Sequence, residues 1–90
     1  MTTSAEILID RQEQKERIVR TLSRLLHPKP FKPLFVYTDE GISFQIRDRN
    51  GEVLLWSNTP QPVEEIKGLS DEVMEQRLRD SLERNRQIFC

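Results

Sequence analysis

Among its 90 residues the chain has one cysteine, one histidine, one tryptophan and three glycines, and no apolar run long enough to span a bilayer. Each scarcity excludes something. Cys90 alone permits no internal disulfide and offers no thiolate pair around which zinc could be held. Standing last rather than fourth from the end, it makes no prenylation signal. His27 sits in no HExxH pattern, there is no CxxC, and Gly41, Gly51 and Gly68 are too far apart to form a phosphate-cradling loop. The adjacent carboxylates Asp39-Glu40 and Glu64-Glu65 read as solvated loop residues. With no nucleophile beside a base and no ligand cluster, the expectation is a chain without catalytic activity, metal or cofactor. Residues 1–6 carry neither a basic leader nor an apolar segment, which points to the reducing cytoplasm and away from membranes.

What is present is ordinary globular material: 36% hydrophobic and 32% charged residues, with a net charge of −1. A chain of this length supports one core, so residues 1–90 read as a single domain, with 1–10 a frayed start. The small net charge hides an asymmetry. Between residues 11 and 33, Arg11, Lys15, Arg17, Arg20, Arg24, Lys29 and Lys32 face only Glu13 and Glu16, and the compensating acidic excess lies on either side.

Ile18, Val19, Leu22, Leu25 and Leu26 share one face at 3.6 residues per turn and predict a helix ended at His27 by Pro28. Its start is open, because Thr3 with Glu6 and Asp10 with Glu13 both form capping boxes. Arg11 and Gln14 or Lys15 continue the face backwards as a polar seam. Prolines 28, 30 and 33 make 28–33 a stiff, extended connector.

Leu34 to Ser57 reads as a three-stranded meander. Asn50-Gly51 suits a two-residue hairpin loop pairing Arg49 with Glu52, which sets Gln45 opposite Trp56, Ile46 opposite Leu55 and Arg47 opposite Leu54. Asp39-Glu40-Gly41 suits a three-residue loop, pairing Thr38 with Ile42 and Val36 with Phe44. These registers put Leu34, Val36, Ile42, Phe44, Ile46, Val53 and Leu55 on a core face and Phe35, Tyr37, Ser43, Gln45, Arg47, Leu54 and Trp56 on the other. Val63 to Leu69 then leads to a helix capped by Ser70, with Val73, Met74, Leu78 and Leu82 as its apolar stripe, continued by Ile88 and Phe89. The fold class is α+β: a three-stranded antiparallel meander flanked by an N-terminal and a C-terminal helix.

An aromatic strip on a sheet face calls for a cover. Phe35, Tyr37, Arg47, Leu54 and Trp56 are residue types found at interface centres, so the sequence favours a small protein-interaction or regulatory module whose partner is another protein or a second copy of itself. The alternative is nucleic-acid binding through Arg17, Arg20, Arg24, Lys29 and Lys32, with bases stacked on the sheet. The element order is also that of the double-stranded RNA-binding domain. However, the stretch 70–75, Ser-Asp-Glu-Val-Met-Glu, is acidic where that family carries lysines, so the order supports no resemblance.

Overall fold

The computed structural model describes residues 4–57 and 59–84. A long helix, α1 (Ser4–Leu26), precedes three strands, β1 (Phe31–Thr38), β2 (Gly41–Asp48) and β3 (Val53–Trp56), followed by a short α2 (Val63–Lys67) and α3 (Asp71–Arg84). The strands form one antiparallel sheet in the order β1-β2-β3. The α+β class and the meander between helices are as the sequence predicts. Cys90, Ile88, Phe89 and the Thr3 capping box lie outside the described residues.

Helix α1 stops where the prolines begin: the N–H of His27 donates to the Ser23 carbonyl and that of Lys29 to the Leu26 carbonyl, closing the last turn before Pro30. Strand β1 already starts at Phe31, so the connector is shorter than the expected 28–33, and Pro33 sits within a strand. Helix α3 is capped as expected, with the Val73 N–H donating to Ser70 Oγ at 3.2 Å.

Both long helices cover the same face of the sheet. Ile18 and Leu22 of α1, Ile66 of α2 and Met74 and Leu78 of α3 are buried in one cluster with Ile42, Phe44 and Ile46 of β2 and Leu55 of β3. Burial of each such side chain contributes about 1.5–3 kcal/mol. The polar seam of α1 is partly satisfied internally. Gln14, buried, accepts from Arg17 through Oε1 at 2.7 Å, and Thr21 Oγ1 donates to the Arg17 carbonyl at 2.9 Å.

Both hairpins differ from expectation, in opposite directions. The first loop has two residues, Asp39 and Glu40, so Thr38 pairs with Gly41 and Phe35 with Phe44. This one-residue change turns β1 over: Phe35 and Tyr37 join the side of the core, while Leu34 and Val36 face away from it. The second loop has three, Arg49, Asn50 and Gly51, closed by the Asp48 N–H donating to the Glu52 carbonyl at 2.8 Å. Asp48 Oδ1 organises that loop by accepting from the N–H groups of Asn50 and Glu52. Arg47 then pairs with Val53 rather than Leu54, and an irregularity between Ile46 and Arg47 restores Ile46 opposite Leu55 and Gln45 opposite Trp56.

Candidate functional site

The registers assign each strand residue to a face. On the side away from the helices, Leu34, Gln45 and Trp56 form one row across all three strands, Lys32 and Arg47 the next row, and Val36 with Ser43 the third. No described helix covers this outer face. Leu34 is 59% exposed and Val36 50%, and Trp56 is half-buried. Arg47 lies along the surface, donating from Nε to Gln45 Oε1 at 2.8 Å and from Nη1 to the Gly51 carbonyl at 3.4 Å. Its cross-strand neighbour Lys32 is also a cation, a pairing that sheets ordinarily avoid.

The other side of β1 is roofed by the N-terminal half of α1 through cations. Lys15 Nζ lies 5.7 Å from the centre of the Phe35 ring, which itself packs on Phe44 at 5.5 Å between centroids. The Arg11 guanidinium lies 5.8 Å from the centre of the Tyr37 ring and donates from Nη2 to the Thr38 carbonyl at 2.8 Å. Arg11 Nε is buried without an acceptor. Partial burial raises the Tyr37 hydroxyl above its ordinary value of 10.0, and the Arg11 charge offsets part of that rise.

Strand β1 is also an open edge, and its free groups can be assigned. Ile42 exchanges both backbone hydrogen bonds with Gln61, and the Phe44 carbonyl accepts from the Ser57 N–H. The even-numbered residues of β2 therefore bond away from β1, and the odd-numbered ones bond towards it. Their partners in β1 are Lys32, Leu34, Val36 and Thr38. Phe31, Pro33, Phe35 and Tyr37 thus aim their backbone groups outward, where no fourth strand lies among the described residues. Pro33 has no N–H to offer, a common way of blunting an edge, so the outward donors beyond it are Phe35 and Tyr37.

Of the five residues expected to form one strip, only Arg47 and Trp56 remain together on the uncovered face. Phe35 and Tyr37 lie on the helical side, and Leu54 packs against the core cluster. Leu34 and Val36 take their place; a sequence pattern could have found them only with the correct hairpin length. The five cations of the nucleic-acid alternative are likewise dispersed. Arg17 is bonded to Asp71, and Arg24 pairs with Glu75 at 3.6 Å, which leaves Arg20, Lys29 and Lys32.

Among the described residues four ion pairs form, and all lie in the helical layer: Arg17–Asp71, Arg24–Glu75, Lys67–Asp10 and Arg79–Glu75. The Asp10 carboxylate, hydrogen-bonded to Lys67, raises that ammonium above its ordinary 10.5. No group of three or more His, Cys, Asp or Glu side chains among the described residues could hold a metal ion, and no described helix is long and apolar enough to cross a membrane. A groove of about 420 Å³ beside α2 is bordered by Glu64, Glu65 and Arg77, all exposed, and brings no buried titratable group to bear on a ligand. Compared with models of protein families, with curated proteins and with solved structures, the chain matches none.

Proposed function

We propose that this is a non-enzymatic protein-interaction module that engages another protein through the uncovered face and edge of its sheet. The observation that carries this reading is the placement of both long helices on one side, which leaves Leu34 and Val36 exposed on the other beside a half-buried Trp56. Three large apolar side chains in neighbouring rows, with Arg47 beside them, combine an apolar centre with the residue types that dominate binding energy at interfaces. The nucleic-acid alternative draws less support, because Arg17 and Arg24 are already neutralised by carboxylates and the remaining cations share no surface with Trp56 except through Lys32.

Site-specific photocrosslinking tests the proposal. A photoreactive amino acid placed at Leu34 or Val36 in the cells that make the protein is expected to capture a discrete protein species, whereas the same group at Glu72 or Glu83 on α3 is not. Equal capture from all positions, or capture of nucleic acid from position 34, would overturn it.

A further inference from the structure

We infer that the partner is an extended acidic segment that adds to the open edge of β1 as a fourth strand, with acidic and apolar residues alternating along it. The inference rests on the interaction reading above and names its ligand. The edge supplies the first part of the argument. Phe35 and Tyr37 each present an outward N–H and C=O, and Pro33 adds an outward C=O, so about five residues of an incoming chain can pair with the stretch Pro33 to Tyr37.

Charge supplies the second part. Arg11 and Lys15 overhang this stretch from the helical side, and Lys32 flanks it from the outer side beside Arg47. None of these four forms an ion pair among the described residues, although four pairs form elsewhere. Arg11 and Lys15 rest on rings instead of carboxylates. Of the carboxylates near these cations in sequence, Asp10 is engaged with Lys67, Glu16 with Gln12 and Asp48 with the N–H groups of its own loop, while Asp39 and Glu40 occupy the hairpin tip at the far end of β1 from Lys32.

The same cations argue against a second copy as the occupant. Antiparallel pairing of two β1 edges about Phe35 would bring the Lys15 side chains of both copies to the centre of the new contact, one strand spacing apart, and like charges there oppose association. An acidic strand turns that repulsion into attraction. Because successive side chains alternate, residues of the added strand beside Phe35 and Tyr37 would meet Lys15 and Arg11, and those between them would lie beside Leu34 and Val36. The first set is best acidic and the second apolar.

The probe is a fluorescent peptide of alternating glutamate and valine, compared with its lysine-valine counterpart, a version N-methylated on alternate backbone amides, and single-stranded oligothymidylate. Fluorescence anisotropy is expected to show binding of the acidic peptide alone, weakened by salt and weakened roughly tenfold or more by Lys15→Glu. Amide hydrogen exchange is expected to slow at Phe35 and Tyr37 when the peptide is added. Since Lys15 makes no ion pair, Lys15→Glu should leave the fold intact, which the unchanged exchange of Ile46 and Leu22 would show. Binding without protection of Phe35 and Tyr37, equal binding of the lysine peptide or the oligonucleotide, or no binding at all would each overturn the inference. If capture from Leu34 persists in that event, the interaction module stands and only its ligand is wrong; loss of both defeats the module as well.

Discussion

Arg17 and Asp71 are 54 residues apart in sequence, yet Arg17 donates to Asp71 Oδ1 through Nε at 3.2 Å and Nη2 at 3.0 Å. The same guanidinium donates to the Leu69 carbonyl at 2.6 Å, to the Ile66 carbonyl at 3.3 Å and to Gln14 Oε1 at 2.7 Å. One side chain of α1 thereby ties down the α2–α3 junction. Its side chain is only 17% exposed, against 80% for Asp71, so most of its contribution comes from the sheltered carbonyls rather than from the ion pair. Arg17→Met is expected to destabilise the fold by about 2–3 kcal/mol and Asp71→Asn by less than about 1 kcal/mol. Urea unfolding of the two variants checks the order.

Gly41 and Gly51 both have positive φ, at +145° and +89°, but for different reasons. A Cβ at Gly41 would collide with the Gln61 carbonyl and with the backbone of Pro62, whereas one at Gly51 would meet open space. Gly41→Ala should therefore cost about 2–4 kcal/mol, combining backbone strain with displacement of the Ile42–Gln61 bridge, and Gly51→Ala about 1–2 kcal/mol from strain alone. Thermal unfolding that ranks the two equally would contradict the close approach at Gly41.

Alternate positions of β1 should respond oppositely to truncation. Phe35→Ala removes a ring packed on Phe44 and is expected to cost about 2–4 kcal/mol, while Leu34→Ala and Val36→Ala, on the uncovered face, should change stability by no more than about 0.5 kcal/mol. Trp56→Ala should fall between, at about 1–2 kcal/mol, because the indole is only half-buried. Denaturation of these four variants distinguishes the observed register from the one a three-residue first loop would impose.

Tyr37 is the only tyrosine, so its ionisation can be followed without ambiguity by ultraviolet absorbance. The folded protein should titrate above the ordinary value of 10.0, because partial burial disfavours the phenolate. Arg11→Met, which keeps the cover but removes the charge, should move it further up. The sign for stability follows: this stabilisation is fully present below the unfolded-state value and declines as pH rises through the interval to the folded value, since the unfolded chain releases the proton first. An unshifted titration in the Arg11→Met protein would mean that the guanidinium does not act on the ring.

The order of a helix, three strands and a C-terminal helix, the end of α1 at the prolines and the Ser70 cap were legible from local chemistry: fixed φ at proline, a side-chain acceptor at a helix start, apolar residues at periods of 3.6 and 2. The short α2 was not expected, and Gln45 meets Trp56 as expected only because the irregularity after Ile46 offsets the longer second loop. Candidate interface residues were half legible, since Arg47 and Trp56 stand on the uncovered face while Phe35 and Tyr37 do not. The division has a physical cause. Asp39-Glu40-Gly41 satisfies the local rules for a three-residue loop, but Gly41 is needed as the first residue of β2, where Gln61 crosses with no room for a side chain. That requirement comes from a segment 20 residues further on, and the one-residue difference it makes in the loop decides which face of β1 is buried. Which side the helices cover is equally non-local, because Ile18, Leu22, Met74 and Leu78 complete a core only after the sheet between them exists. Sequence therefore determined the elements, whose chemistry is local. Tertiary packing alone decided which apolar residues stay uncovered, because burial is a property of the whole chain's closest arrangement and not of any stretch within it.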